Sequence, residues 1–359
     1  MQTDIYRQVQ QKLDQYSMGF PAAESGLDQK ILKFLFSEAD AIMFNEMTLV
    51  PETAADVASR LNRPEAEVAA QLEDMAEKGL LFRMKSEKHG SRYSAIPFVH
   101  GLFEFQIKDI KHELVEMVKA YSEEVFDGAM QQGAEYFLRT IPVQEAIEVT
   151  HNVASYDDAV EILRNNKLIV ITECICRKSA AVLEQNCDKP VETCFMFGAM
   201  GQYYLDRDMG RKITFEEGVD ILSRCREAGL VTQPATSQNP GGMCNCCGDC
   251  CGVLIALNKH PRPAELILSN YYAAVTTNDC TGCGTCTERC PMNAVTINDD
   301  GIASVNRDRC IGCGLCISTC PAETIKLLSK SDSELRTPPK NLLEQAMLMA
   351  QKRGLALHK

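Results

Sequence analysis

Apolar positions in the first hundred residues recur mostly at helical spacing. The segment 27–40 is rich in them and predicts one buried helix, and a capping pattern at residues 53–56 opens a second. A third helix is predicted over 64–79, where apolar residues return every three or four positions. Residues 80–98 then change to short apolar runs on either side of a His-Gly turn. The pattern predicts three helices followed by a β-hairpin.

Three helices and a hairpin are the elements of a winged helix-turn-helix, which we expect over residues 1–100. Such a fold invites a DNA-binding hypothesis, but the helix 64–79 carries five acidic residues against Lys78. The hairpin is more basic, yet residues 1–100 contain 11 basic and 15 acidic side chains. An acidic helix would be repelled by phosphates in the major groove. A protein-docking or dimerising module is therefore the favoured interpretation.

Beyond residue 100 the pattern changes twice. The segment 101–150 has helical character and predicts a connector. From residue 151 helices and strands alternate: a helix capped at residues 155–158 precedes the buried strand 168–173, and the capping box Thr214-x-x-Glu217 opens a later helix. We expect a small α/β domain here.

Composition limits the classes of protein that fit. The chain of 359 residues has 45% hydrophobic and 24% charged residues, as in globular proteins, and no apolar stretch approaches the roughly 20 residues that cross a bilayer. The first residues do not resemble a signal peptide, so we expect a cytoplasmic protein without membrane insertion. The net charge of −12 disfavours nucleic acid and favours a partner with a basic docking face. In a reducing compartment, 18 cysteines indicate metal ligands more than disulfides.

Two copies of one cysteine motif dominate the last third of the chain. Residues 280–291 read CTGCGTCTERCP and residues 310–321 read CIGCGLCISTCP, so both follow C-x2-C-x2-C-x3-C-P. A cubane cluster needs four converging thiolates, and glycines with positive φ allow a tight loop to direct three of them inward. Two zinc sites are the alternative, but they leave the repeated spacing and the prolines unexplained. Between the motifs, residues 294–306 alternate around an Asp-Gly turn and predict a β-hairpin.

The repeat resembles the bacterial-type ferredoxin domain with two [4Fe–4S] clusters, over about residues 271–329. The resemblance implies that each cluster takes its fourth ligand from the other repeat. One cluster would then be bound by Cys280, Cys283, Cys286 and Cys320, and the other by Cys310, Cys313, Cys316 and Cys290.

Together these predictions describe an α+β multidomain protein. In chain order we expect a winged-helix-like domain (1–100), a helical connector (101–150), a cysteine-rich α/β domain (151–270), a two-cluster ferredoxin domain (271–330) and a helical tail (331–359).

The predicted α/β domain holds a second concentration of thiols. Its candidate metal ligands are Cys174, Cys176, Cys187, Cys194, Cys244, Cys246, Cys247 and Cys250. If the strand 168–173 continues extended, Cys174 and Cys176 lie on one side of it. If a helix begins near Gly248, Cys247, Cys250 and Cys251 share one face near its N-terminus, where the helix dipole stabilises an anionic cluster.

These thiols divide between centres in more than one way. The first four could form one set and the last four another, with Cys251 left over, or the two groups could mix around a single cluster. One or two further [4Fe–4S] clusters are expected, and structural zinc is the alternative. Cys225 is expected to be a packed residue, Arg177 either donates to a cluster or forms a surface ion pair, and His151 is expected to be structural.

The whole chain resembles a broad group of iron–sulfur proteins from anaerobes. Members share an E-C-x-C-R segment, here residues 173–177, and a C-N-C-C-x-x-C-C segment, here residues 244–251, ahead of a two-cluster ferredoxin domain. The resemblance implies metal binding and electron transfer but no particular reaction. We therefore expect an electron-transfer protein or oxidoreductase subunit rather than a stand-alone enzyme.

Two other functions remain open from the residues. A redox- or iron-responsive regulator would use cluster loss to alter the winged helix, and a reductase would keep an open iron site for substrate. The sequence contains no G-x-G-x-x-G and no phosphate-binding G-x-x-x-x-G-K-[ST] motif, so flavin or nicotinamide chemistry would come from a partner. A homodimer through the winged-helix domain is a further expectation.

Overall fold

A computed structural model describes residues 4–86, 90–144, 146, 154–185, 187–276 and 279–355. Within these residues the helices are α1 Ile5–Leu13, α2 Leu27–Leu35, α3 Glu38–Glu46, α4 Ala54–Leu61, α5 Glu65–Glu77, α6 His112–Tyr121, α7 Asp127–Phe137, α8 Ala159–Arg164, α9 Ile175–Val182, α10 Gly198–Asp206, α11 Phe215–Glu227, α12 Gly252–Asn258, α13 Thr285–Arg289 and α14 Leu342–Lys352. The strands are β1 Glu52–Thr53, β2 Phe82–Ser86, β3 Gly90–Ser94, β4 Ile169–Glu173, β5 Glu192–Phe197, β6 Gly210–Ile213, β7 Val231–Pro234, β8 Gly242–Cys246, β9 Tyr271–Val275, β10 Val295–Ile297, β11 Ala303–Val305 and β12 Ile325–Ser329. No helix in the described part of the chain is both long and apolar enough to span a bilayer.

The N-terminal helices and hairpin occur close to their predicted positions, with one correction. The segment 27–40 forms two helices, α2 and α3, and not the single helix predicted. Phe36 is extended between them, and the Ser37 side chain accepts a hydrogen bond from the backbone N–H of Asp40. A serine that caps a new helix competes with continuation of the preceding one, which explains the break.

The hairpin β2–β3 belongs to a small antiparallel sheet. Its strand order is β1-β3-β2, with Glu52 opposite Tyr93 and Phe82 opposite Ser94. The capping box predicted at residues 53–56 is present at the start of α4. His89 of the predicted turn lies outside the described residues, and Gly90 begins β3 with φ of 68°. Helices α4 and α5 pack against this sheet, in a core that continues into the rest of the chain.

The predicted helical connector is interrupted. Residues Phe98–Leu102 form an irregular turn in which Val99 is extended and His100 has φ of 55°. A 3-10 segment at Glu104–Asp109 precedes α6, and a π-helical turn at Ser122–Phe126 joins α6 to α7. Residues 147–150 and His151 lie outside the described residues, so the prediction for His151 is not placed.

A five-stranded sheet forms the centre of the cysteine-rich domain. Its order is β6-β4-β5-β8-β7, and every neighbouring pair is antiparallel. Helices and strands do alternate along the chain, as predicted, but an antiparallel sheet makes α+β the more accurate description than α/β. One face packs against α8 and α11 and buries Phe195 and Met243, while α10 packs against the other face.

The last part of the chain contains two small antiparallel pairs. Strands β9 and β12 pair with Tyr271 opposite Ser329. The predicted hairpin over 294–306 is confirmed, because β10 and β11 pair with Val295 opposite Val305. The first cysteine motif, residues 280–291, includes α13, and the second, residues 310–321, lies in the loop before β12.

Candidate metal centres

The first cysteine motif lines a cavity at the surface of the C-terminal domain. Four thiols contribute to its wall: Cys280, Cys283, Cys286 and Cys320. The backbone N–H of Ala303 donates to Cys280 Sγ at 3.4 Å, and the Thr324 hydroxyl lies 3.5 Å from Cys320 Sγ. Such donors lower the energy of a thiolate-bound cluster. Cys283 is exposed, so this cavity borders solvent.

The second motif lines a more enclosed cavity. Its wall includes the thiols Cys290, Cys310, Cys313 and Cys316. Backbone N–H groups donate to two of them, from Ala273 to Cys310 at 3.4 Å and from Ala294 to Cys290 at 3.3 Å. Cys310 and Cys316 are buried, and burial raises the pKa of both thiols. Cys286 of the first cavity is near enough to add to the rise at Cys316, so the two cavities are neighbours.

Glycine is required in both loops for a steric reason. Gly282 and Gly312 have φ of 64° and 70°, in the left-handed region that the sequence predicts. A Cβ at Gly312 would lie 2.3 Å from the carbonyl oxygen of Tyr271, and one at Gly282 would lie 2.2 Å from that of Gly301. The loops therefore press against the neighbouring strands and turns.

In the cysteine-rich domain, strand alternation directs three thiols to one face of the sheet. Phe195 pairs with Met243 on the face that packs against α8 and α11. Side chains alternate along a strand, so Cys194, Cys244 and Cys246 project from the opposite face. The spacing C-x-C in β8 therefore places two ligand candidates side by side.

Two helix starts bring three more thiols to these. The chain does not stay extended after β4: Cys174 is the N-cap of α9, and Cys176 lies in its first turn. The predicted helix start near Gly248 is also displaced, because α12 begins at Gly252 with Cys251 as its N-cap. A tight turn from Cys247 to Cys251 takes the place of the predicted helical turn.

The six thiols form a closed ring of neighbours. In order around it they are Cys174, Cys176, Cys251, Cys246, Cys244 and Cys194, each interacting with the thiols before and after it. Interactions with Cys176 and Cys194, together with the nearby Arg177 cation, lower the pKa of Cys174. This grouping differs from the two predicted sets of four and instead mixes the two groups, as in the predicted alternative. It also includes Cys251, which the sequence left over.

The remaining thiols form a separate trio. Cys187, Cys247 and Cys250 have Sγ atoms that all lie within 4.8 Å of one another, with Cys187 and Cys247 at 4.0 Å. They pack against the other apolar core, the one beneath α8 and α11. Cys225 is buried in that core on α11, as expected for a packed residue.

Arg177 lies between the ring and the trio. Its side chain is 2% exposed, and Nη1 lies 3.6 Å from Cys247 Sγ. Nη2 donates to the Asn245 carbonyl oxygen at 3.2 Å and to the Thr193 hydroxyl. Of the two roles predicted for Arg177, the surface ion pair is therefore wrong. The guanidinium is buried beside thiols.

Sequence reasoning missed Glu104, which belongs to the interrupted connector. It is partly buried, its carboxylate accepts from the N–H of Gly101 at 3.0 Å, and burial raises its pKa to about 7, with Cys174 adding to the rise. Glu104 lies 70 positions before Cys174 in the chain. No local pattern links the two residues, because only the packing of the connector against α9 brings them together.

The cysteine turn of the middle domain touches the ferredoxin loops. A Cβ at Gly248 would lie 3.1 Å from the carbonyl oxygen of Pro291, the residue after Cys290. Asn258 Nδ2 donates to the same carbonyl at 2.7 Å, and Arg309 donates to Asn258 Oδ1 at 2.9 Å. The second cavity is thus joined to the turn that carries Cys247, Cys250 and Cys251.

Comparison with known proteins identifies one part of the chain. Residues 273–327 match the family model described as a 4Fe-4S dicluster domain. The chain carries a 4Fe-4S dicluster domain. No curated protein and no solved structure gives a significant match to the chain. The two cysteine-lined cavities both fall within this domain or at its edge.

Proposed function

We propose that this protein is an iron–sulfur electron-transfer protein whose dicluster domain exchanges single low-potential electrons with a partner. The observation that carries the proposal is the pair of neighbouring cavities, each lined by four thiols, within the matched domain. Cys280, Cys283, Cys286 and Cys320 would bind one [4Fe–4S] cluster. Cys290, Cys310, Cys313 and Cys316 would bind the other. The thiolates supply the ligands, and the N–H donors to sulfur adjust the potential.

We further propose that the six-thiol ring holds an iron–sulfur centre of its own. Cys176 and Cys244 are only partly buried by surface area, yet burial is among the causes that raise the pKa of both thiols. Both observations are expected for side chains that face an enclosed space inside the protein. One cubane requires four thiolates, so six can bind a cubane or a larger centre. The buried Arg177 cation next to the ring offsets part of its negative charge.

The contacts support an order for electron movement. The first cavity borders solvent at Cys283, the second is its enclosed neighbour, and Pro291 joins the second to the cysteine turn of the middle domain. Electrons would pass from the partner through the dicluster domain to the ring centre. A second redox protein would then accept them, or donate them in the reverse direction.

Acidic residues around the first cavity support a partner with a basic face. Asp299 and Asp300 lie in the exposed hairpin turn whose Gly301 meets the loop of the first cavity, and Glu323 is exposed close after Cys320. With a net charge of −12, this surface would steer a basic protein toward the exposed cluster.

The deciding experiment is anaerobic iron and acid-labile sulfide analysis with EPR of the reduced protein. We expect more than about 8 irons per chain, because about 8 fill the dicluster domain alone, about 12 add one cubane and about 16 add a larger centre. Eight irons with two interacting cluster signals would limit the proposal to the dicluster domain. Fewer irons, without a reduced cubane signal, would contradict the proposal altogether.

The proposed path can be tested at the junction with the middle domain. Asn258→Leu removes the donor to Pro291 and the acceptor for Arg309, so we expect slower electron transfer into the ring centre at unchanged iron content. Asn239→Leu, at an exposed position of the same domain away from these contacts, is the matched control. Equal rates of electron transfer into the ring centre in the two variants would show that the contacts of Asn258 do not connect the dicluster domain to the ring.

We propose a docking role for the predicted winged-helix region, residues 1–100. Helix α5 exposes Glu65, Glu67 and Asp74, which disfavours contact with phosphates. Gel-shift experiments with DNA from around its own gene, with reduced and oxidised protein, test this choice. A specific shift in either redox state would favour the regulator instead.

A further inference from the structure

The trio of Cys187, Cys247 and Cys250 has dimensions that differ from those of a cluster site. A tetrahedral ion with metal–sulfur bonds of about 2.3 Å holds its sulfurs about 3.8 Å apart. The Sγ atoms of Cys187 and Cys247 are 4.0 Å apart, and all three lie within 4.8 Å of one another. A cubane binds each thiolate through a different iron and therefore spreads the sulfurs farther. The trio matches one ion.

The charges around the trio suit a divalent ion bound by three thiolates. Such a complex carries one net negative charge. The buried Arg177 lies 3.6 Å from Cys247 Sγ, and its Nε has no hydrogen-bond partner among the described residues. Lys189 also lies near Cys187 and Cys247 and pairs with Asp249 in the cysteine turn. A buried cation with a free N–H is the environment that an anionic metal complex requires.

The trio leaves one coordination position without a protein ligand. In the described part of the chain, the group of metal-binding side chains that converge here has only these three members. Cys187 and Cys250 are partly exposed, so solvent or a small molecule reaches this side. Three protein ligands with an open fourth position are typical of catalytic zinc, whereas structural zinc has four.

We propose that Cys187, Cys247 and Cys250 bind a single tetrahedral ion of the zinc type, separate from the iron–sulfur centre of the ring. Its fourth position takes a small exogenous ligand, and the neighbouring Arg177 and Lys189 favour a soft anion such as a thiolate. The inference does not rest on the proposed electron-transfer function, because the ion would be present whether or not the ring holds iron.

Zinc K-edge X-ray absorption of the full chain, purified anaerobically and given one equivalent of Zn²⁺, tests the site without interference from iron. We expect three sulfurs at about 2.3 Å and one oxygen or nitrogen neighbour. In a buffer free of thiols, a shell of four sulfurs would overturn the open position. A shell without sulfur would show surface-bound zinc only and would overturn the site.

Variants identify the ligands. Cys187→Ser is expected to lower bound zinc at least about tenfold while iron and sulfide stay unchanged. Cys225→Ser, at a buried cysteine outside both groups, should retain zinc. Loss of about four irons in Cys187→Ser would show that the trio binds a cluster, and unchanged zinc would show that Cys187 is not a ligand. Either result overturns the proposal, and neither affects the dicluster domain.

The open position has its own test. Reduced selenocysteamine, a small selenol, should replace the oxygen or nitrogen neighbour, so that selenium appears in the first shell of zinc. Arg177→Lys keeps the charge but not the planar donor, and we expect it to retain zinc with weaker selenol binding. A zinc shell that selenol leaves unchanged would show a closed site and contradict the proposed ligand.

Discussion

Three arginines illustrate how single residues organise this molecule. Arg83, Arg139 and Arg177 are among the largest fully buried side chains, and each meets different partners. Arg83 pairs with Glu73 and Glu77 on α5, and Arg139 donates to the Ala235 carbonyl at 2.7 Å. Arg177 instead faces thiols. A buried cation is costly without partners, and a thiolate at Cys247, 3.6 Å away, would balance the charge of Arg177.

Replacing Arg177 by methionine therefore tests the charge balance of the middle domain. We expect Arg177→Met to lose iron and zinc from that domain, leaving about 8 irons in the dicluster domain, because the thiolates lose their buried counter-charge. Metal analysis with EPR of the reduced protein gives the readout. Arg164→Met, which removes an exposed pair with Glu161, is the control and should keep all metal. Full metal content in Arg177→Met would contradict this prediction.

Lys12 offers a prediction about pH far from the cysteines. Its ammonium group donates to the Asn45 carbonyl, and burial lowers its pKa to about 8. Because the unfolded chain keeps the proton up to about pH 10.4, stability should rise between about pH 8 and 10.4, by less than about 3 kcal/mol since solvent still reaches the group. Thermal unfolding of wild type and Lys12→Met across this range measures the effect. A parallel pH dependence in both proteins would exclude Lys12 as its source.

At the scale of elements, the cysteine loops depend on close backbone contact. Gly312 combines a positive φ with a carbonyl oxygen 2.3 Å from a Cβ position, whereas Gly301 has a φ of 74° and open space around it. Backbone strain alone would affect both glycines alike. Of the two, only Gly312 combines backbone strain with a clash against β9. Comparing alanine variants at the two positions therefore distinguishes the effect of the clash from that of backbone strain.

Gly312→Ala is expected to destabilise the dicluster domain by about 3 kcal/mol or more, and Gly301→Ala by about 1 kcal/mol. The clash would push β9 away from the second motif. Thermal unfolding and iron content of the two variants measure the difference, with loss of iron expected for Gly312→Ala alone. Equal losses would mean that strain, and not the clash, decides.

The strands and helices of the middle domain explain why its thiols separate as they do. Strand alternation sends Cys244 and Cys246 to one face of the sheet, and the turn after β8 takes Cys247 to the other core. Adjacent cysteines thus serve different groups. The N-caps of α9 and α12 then add Cys174 and Cys251 to the ring.

At the scale of the whole molecule, the N-terminal region packs directly on the cysteine-rich domain. The Tyr203 hydroxyl on α10 donates to the carbonyl oxygens of Leu81 at 2.9 Å and Ala76 at 3.2 Å. Arg207 donates to the Glu77 carbonyl at 2.7 Å. Helix α10 follows β5, the strand that carries Cys194, so a change at the ring has a short path to the N-terminal helices.

Tyr203→Phe tests this junction. Removing the hydroxyl takes its donor from the Leu81 carbonyl oxygen, while the Ala76 carbonyl still accepts from the N–H of Gly79 at 3.1 Å. We therefore expect a loss of about 1–2 kcal/mol in stability and faster amide exchange in β2 and at the end of α5. Hydrogen exchange by mass spectrometry measures it. Tyr272→Phe, on β9 of the dicluster domain, is the control and should leave exchange in β2 unchanged. Unchanged exchange in Tyr203→Phe would mean that packing alone holds the junction.

Local patterns predicted the elements that depend on nearby residues. The hairpin over 294–306, the capping box at 53–56 and the positive φ of the loop glycines all follow from short-range sterics and hydrogen bonding. The break in the segment 27–40 had a local cause as well, since Ser37 is a strong N-cap residue. That signal was present in the sequence, but the density of apolar residues outweighed it.

The sequence by itself determined the dicluster motif, because the spacing of its cysteines and glycines specifies a loop that closes on one cluster. The grouping of the nine cysteines in the ring and the trio was decided only by the tertiary structure. Residues as close as Cys246 and Cys247 belong to different groups, and Cys174 meets Cys194 and Glu104. The group to which a cysteine belongs depends on the face of the sheet from which its side chain projects. It also depends on which connector packs against that face, and local spacing encodes neither.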